Sequence, residues 1–341
     1  MSQPGNEHQA RLEASYTEWL KHRTILEAYR ARPGERRTTP PPPFNVSELF
    51  PELAGRSTTT IRLHPRYGDE PLMDESKLGG TFLWPYDEPW PVCPFHEIPL
   101  VTVLQLRAAD FPEMPFPPGA DLFQLLWCPR EHSDVPECFE KPNPMMWADP
   151  KFYWRNRQET DRARLDNPCP REAYYEYVSL PCRLMPERVI EFPSEYHLSE
   201  DIVQRIRRWQ DQHLGPDGMH ACEYEAELSA APGTKIGGYI PWIQFPWEPV
   251  CECGRRMEHL LTIATVEWSG LIDERWTPVE EKEGLALLPP PNWDDWDDER
   301  NAAWHALWIP HGLSLGDAGH MNLFVCRHCG KWPIVPNIEC S

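Results

Sequence analysis

Glycine is scarce in this chain, nineteen residues against forty prolines in 341, and the imbalance excludes a helix-dominated fold. Proline fixes φ and lacks an amide donor, so it is confined largely to helix starts, sheet edges and turns. Short strands, tight loops and few long helices are expected. Long apolar runs are missing too: none approaches the roughly eighteen residues that cross a bilayer, and residues 1–30 hold no hydrophobic signal segment. A cytoplasmic protein without membrane contact is expected. Basic residues are the third shortage, 33 Lys and Arg against 53 Asp and Glu, a formal charge of −20. Such a field repels phosphate backbones and argues against nucleic acid as a partner. A basic protein partner would be attracted to it.

Present in quantity are hydrophobic residues, 40% of the chain, enough to build the core of one large domain or two ordinary ones. Eleven cysteines in a cytoplasmic chain point to free thiols or metal ligands rather than to a disulfide framework. The apolar spacing of Leu12, Tyr16, Trp19, Leu20, Ile25, Leu26 and Tyr29 predicts a leading helix stopped at Pro33-Gly34. The stretch TTPPPPF over 38–44 reads as a stiff connector. A second helix is expected in SEDIVQRIRRWQDQHLGP, with Ser199 as its N-cap. Strands are expected over 98–106, 121–128, 258–268 and 319–326, and two more within 174–192.

The strongest signal is an internal repeat. KLGGTFLWPYDEPWPVC from Lys77 and KIGGYIPWIQFPWEPVC from Lys235 align without a gap, sharing Lys77/Lys235, Gly79/Gly237, Gly80/Gly238, Trp84/Trp242, Pro91/Pro249, Val92/Val250 and Cys93/Cys251. The expected fold is mostly β (α+β), internally duplicated and pseudo-symmetric, with the leading N-terminal helix and one further helix between the halves. We divide it into an N-terminal helix (1–37), a linker (38–44), a first half (45–215) and a second half (216–341) carrying an acidic insertion over 269–319. The insertion holds NWDDWDDER, which lacks the glycine and glutamate of a calcium loop and reads as an exposed acidic loop anchored by Trp293 and Trp296. The paired glycines of each repeat are expected to turn the backbone sharply; neither a GxGxxG nor a Walker pattern supports phosphate binding.

Each repeat leads into a cysteine group. Cys251, Cys253, Cys326 and Cys329 form two short-spaced thiol pairs, each followed by glycine, a pattern suited to tetrahedral structural zinc. Unmetallated thiols and a redox role are the alternatives. By pseudo-symmetry Cys93, His96, Cys128 and His132 form a second candidate site. One decoy is Gly312-Leu313-Ser314-Leu315-Gly316, which fits the nucleophile elbow of hydrolases but leaves too little chain for the acid and histidine that should follow.

The combination of KLGGTFLWP, KIGGYIPWIQ, LLTIA, LGDAGHMNLFVC and CRHCGKWP resembles the YwqG-like bacterial family of unknown function, and is similar to the C-terminal domain of programmed cell death protein 2 and its yeast relative. The resemblance covers roughly 70–341 and leaves the leading helix outside. It implies a duplicated, mostly β fold and a protein-binding role, as a chaperone for a ribosomal protein or in a toxin-immunity context. It also implies that Lys235, Gly237, Gly238 and Trp242 belong to a core motif, and that Cys251, Cys253, Cys326 and Cys329 are the metal candidates. The C-x-C pair, the long insertion and the leading helix depart from the family pattern. A non-enzymatic, chaperone-like or immunity-like protein-binding module with structural zinc is the expected function. The alternative is a metal-dependent hydrolase using the first-half Cys/His site with an acidic general base.

Overall fold

Two six-stranded antiparallel sheets enclose one shared core in the computed structural model, which describes residues 4–32, 34–133, 135, 149–160, 167–216, 218–268, 275–286 and 299–340. In chain order the helices are α1 (Pro4–Leu26), α2 (Val46–Leu49), α3 (Glu200–Gln212), α4 (Val279–Ala286) and α5 (Glu299–Trp308). The strands are β1 (Thr58–Arg62), β2 (Arg66–Tyr67), β3 (Lys77–Leu78), β4 (Val101–Arg107), β5 (Leu122–Trp127), β6 (Pro150–Arg155), β7 (Cys182–Arg183), β8 (Glu187–Glu191), β9 (Lys235–Ile236), β10 (Glu258–Ala264), β11 (His320–Val325) and β12 (Ile334–Glu339). The mostly β, α+β fold read from the sequence is what the chain adopts. No helix among the described residues is long and apolar enough to cross a membrane.

The sheets run β2-β7-β3-β4-β5-β6 and β8-β1-β9-β10-β11-β12. Position by position they are equivalent, and the registers agree: Lys77 faces Gln105 and Arg183, while Lys235 faces Thr262 and Arg62. Each sheet carries a register shift at the same place, between Thr102 and Leu104 and between His259 and Leu261. A bulge reproduced in both copies is a built feature of the repeat.

The halves are not side by side. Segment 58–67 runs antiparallel to segment 182–191 in one unbroken register, from Thr58 opposite Glu191 to Tyr67 opposite Cys182. This ribbon passes from one sheet into the other: β1 and β8 complete the sheet of β9–β12, while β2 and β7 complete that of β3–β6. At the crossing, the Met185 amide donates to the Leu63 carbonyl at 2.8 Å.

Period-two alternation sorts the side chains of the central strands. Phe123, Leu125 and Trp127 on β5 and Met321, Leu323 and Val325 on β11 enter the shared core. Leu126 and Phe324 point the other way, each into a small satellite cluster that also holds Trp84 or Trp242. Helix α3 follows its predicted span, burying Val203 and Ile206; Ser199 occupies the N-cap position without a side-chain capping hydrogen bond. Helix α1 ends at Leu26 in a short 3-10 turn, Glu27–Tyr29. The two strands expected within 174–192 are β7 and β8, preceded by a 3-10 turn over Tyr175–Tyr177. One expectation changes. The insertion carries α4 and α5, with Leu285, Ala303, Trp304 and Leu307 buried. The Trp293 and Trp296 anchors lie outside the described residues.

Candidate metal centres

The strand alternation that sends Leu126 and Phe324 into the satellite clusters does the same for the residue two further on. Cys128 and Cys326 therefore sit at the ends of β5 and β11, buried beneath Trp84 and Trp242. Opposite each strand end stands a tight hairpin that closes the seventeen-residue repeat. In the first, Val92 bridges Pro99 and the Cys93 amide donates to the Ile98 carbonyl at 2.9 Å. In the second, Val250 bridges Arg256 and the Cys251 amide donates to the Arg255 carbonyl at 2.8 Å. The first hairpin is one residue longer, which accounts for C-x-x-H in one copy and C-x-C in the other. In both, the second ligand is followed by a left-handed residue, Glu97 at φ 56° and Gly254 at φ 81°.

Hairpin and strand end bring together Cys93, His96, Cys128 and His132 in one group and Cys251, Cys253, Cys326 and Cys329 in the other, with all ligand atoms of a group within 4.8 Å of one another. In the first group, Cys93 Sγ lies 3.3 Å from His132 Nε2 and 3.7 Å from His96 Nδ1, and His96 Nδ1 lies 3.3 Å from Cys128 Sγ. In the second, sulfur–sulfur distances are 3.4 Å for Cys251–Cys329, 3.6 Å for Cys253–Cys326 and 3.8 Å for Cys326–Cys329. A tetrahedral dication with metal–sulfur bonds of about 2.3 Å sets its sulfurs about 3.8 Å apart, and sulfur to imidazole nitrogen about 3.5 Å. Both cages have the size such an ion requires.

Their electrostatics point the same way. The Cys93 thiol is drawn down to about 3 by hydrogen bonding from Cys128, with further help from His132, while its own thiolate and burial push Cys128 far up. Burial opposes ionisation of Cys326, yet the His328 amide and the neighbouring thiols bring it down to about 7; Cys329, hydrogen-bonded to Cys251, is pushed up to about 12. Within each cage a second thiolate beside the first lacks a balancing charge. A bound dication supplies that balance, and burial with the nearby His132 keeps His96 neutral, as a ligand must be.

The remaining motif residues form a clamp. Gly79, Gly80, Gly237 and Gly238 all have φ between 64° and 72° or at 75°, the left-handed region that glycine tolerates best. Buried Lys235 donates to Glu191 at 3.0 Å and to the Tyr239 carbonyl, while the Tyr239 amide donates back to Glu191. In the first copy, Lys77 donates to the Pro71 and Thr81 carbonyls at 3.0 and 2.7 Å, and the Thr81 amide donates to Glu70 at 2.5 Å. Burial lowers both lysines, Lys77 to about 8. Glu70 and Glu191 escape a reading of the repeat because they precede the aligned stretch by 7 and 44 residues; in both copies the glutamate nonetheless accepts from the amide four residues after the lysine. Trp84 packs at 5.0 Å on Tyr153, and Trp242 stacks at 6.4 Å on Phe324. Ser314 of the hydrolase-like motif lines a cleft between α1 and α5, where its hydroxyl donates to the Gly316 carbonyl at 3.3 Å.

Compared with known proteins, residues 76–328 match the model of a family described as a domain of unknown function, DUF1963. No curated protein matches the chain.

Proposed function

The chain belongs to the DUF1963 family, and from that premise we propose that it is a non-enzymatic protein-binding module whose two Cys/His groups hold structural zinc. The observation that carries this reading is the four-donor composition of both groups at equivalent points of the duplicated fold. Thiolate and imidazole donors at tetrahedral spacing suit zinc, and four protein ligands leave no open position for a reactive water. Cys93, His96, Cys128 and His132 would hold one ion and Cys251, Cys253, Cys326 and Cys329 the other. Each ion would pin a repeat hairpin to the end of a central strand over a satellite core. The hydrolase alternative needs a three-ligand site, which a fourth donor removes.

The binding role is supported by the acidic balance, −20 overall, which favours a basic protein partner and repels nucleic acid. Exposed apolar side chains beside the second hairpin, Phe245 at 87% and Val250 at 63%, offer contact surface. A cytoplasmic location and kinship with the YwqG-like family and programmed cell death protein 2 belong to the same proposal. Two measurements test it. Elemental analysis of the purified chain is expected to give two zinc ions per molecule. Capture at moderate salt is expected to return one near-stoichiometric basic protein that dissociates as salt rises. A chain that elutes alone with less than one metal ion would overturn the reading.

A further inference from the structure

The two centres differ in what an oxidant can reach and what it can make. Both sulfurs of the first centre are buried, Cys93 at 1% and Cys128 at 0% exposure, and its other donors are imidazoles. The second centre has four sulfurs, with Cys253 exposed at the hairpin tip and Cys329 half-buried. Each sulfur there has another within reach, Cys253–Cys326 at 3.6 Å and Cys251–Cys329 at 3.4 Å.

We propose that the second centre is a peroxide-reactive site that releases its metal on oxidation, while the first keeps its own. The inference rests on the zinc reading above. The Cys253 thiolate attacks one oxygen of a hydroperoxide: an S–O bond forms, the O–O bond breaks, and hydroxide or alkoxide leaves and takes a proton from water. The Cys326 thiolate then attacks the sulfur of the resulting sulfenic acid. The S–S bond forms and hydroxide leaves, so one peroxide is reduced by two electrons and two thiolates become one disulfide. The metal loses two of its four ligands. A second peroxide can join Cys251 to Cys329 in the same way.

Both disulfides link the hairpin at 251–253 to the strand end at 326–329. The oxidised chain thus keeps the two segments joined where the ion had joined them, and the Trp332 loop stays against Trp154, 6.0 Å away in the first half. The first centre has a single cysteine pair, and both of its sulfurs are buried away from an oxidant.

The test uses the full zinc-loaded chain and hydrogen peroxide, with released zinc followed by a chelating dye and cross-links by mass spectrometry without reduction. Two equivalents of zinc before oxidant establish the metal reading; fewer overturn it and this inference with it. On oxidation we expect one equivalent to be released, a Cys253–Cys326 cross-link, and Cys93 and Cys128 still reduced. Cys253→His, which retains a ligand atom but not the thiolate, should still hold two equivalents and slow release at least tenfold. Release of both ions at one rate, retention of both, or oxidation of Cys93 or Cys128 first would each overturn the proposal, independently of how the variant folds.

Discussion

Adjacent glycines with nearly the same backbone conformation should respond very differently to a methyl group. Gly237 and Gly238 have φ of 64° and 75°, so alanine at either one meets the left-handed penalty, about 1 kcal/mol after the stiffer unfolded chain is allowed for. At Gly237 an added Cβ meets nothing within 4 Å, and the cost stops there. At Gly238 it would run into Glu191 Oε1 and lie 2.7 Å from Thr60 Cβ. Glu191 cannot retreat without leaving Lys235, and both side chains are fully buried. Disrupting a buried ion pair costs about 3–5 kcal/mol because the charges are left uncompensated, so Gly238→Ala should cost about 4–6 kcal/mol. With an unfolding entropy of about 2.1 cal/mol/K per residue over 341 residues, each kcal/mol moves the midpoint by about 1.4 °C. Scanning calorimetry of the metal-loaded variants should therefore show Gly237→Ala lower by about 1–2 °C and Gly238→Ala by about 6–8 °C. Equal shifts would refute the clamp.

Removing one ligand from either cage should abolish one metal equivalent and leave the other. Cys128→Ser and Cys326→Ser are expected to fall from two zinc ions to one in elemental analysis, each with a large loss of thermal stability, since structural zinc contributes on the order of 10 kcal/mol to folding. Loss of both ions from one substitution, or of neither, would contradict two separate centres. Acid should also weaken the fold before its carboxylates titrate. Burial first of all lowers His64 and His320 to about 4 and His259 to about 3, below the unfolded value of about 6.5. The unfolded chain then binds protons the folded one refuses, so this contribution is intact above pH 6.5 and is lost as pH falls from there toward about 4. Each histidine adds a slope of up to about 1.4 kcal/mol per pH unit in that window; denaturant melts between pH 7 and 5 should show it, and a flat profile would refute it.

What the sequence displays well is whatever repeats locally. The seventeen-residue repeat announces both hairpins, both lysine–glycine turns and, through Cys93 and Cys251, both cages; the alternation in LFQLLWC and MNLFVC supplies the opposing strand ends. Helix α3 shows because only one of its faces is buried. Helix α5 does not, because polar Asn301 is buried along with Ala303, Trp304, Ala306 and Leu307, so its buried side is not marked by an uninterrupted apolar stripe. The ribbon is hidden for a different reason. Its two segments are short, Pro65 and Pro186 interrupt them, and their pairing spans 115 to 133 residues, a distance over which no local pattern can signal a partner. The Glu191–Lys235 pair is out of reach in the same way.

The ribbon also fixes the timing of synthesis. Strand β1 lies between β8 and β9, neither of which exists when Thr58–Arg62 leaves the ribosome. The first sheet, too, cannot close until β7 arrives, after β3–β6 are made. At roughly 5–20 residues per second, the more than one hundred residues between the ribbon's arms mean a delay of about 6–25 s, during which the apolar strands β4 and β5 have no finished core. An N-terminal half that folds first and waits for its twin is therefore not a route open to this chain. Pairing over such separations is slow and leaves apolar strands exposed to neighbours, so the nascent protein is itself a candidate client for chaperones.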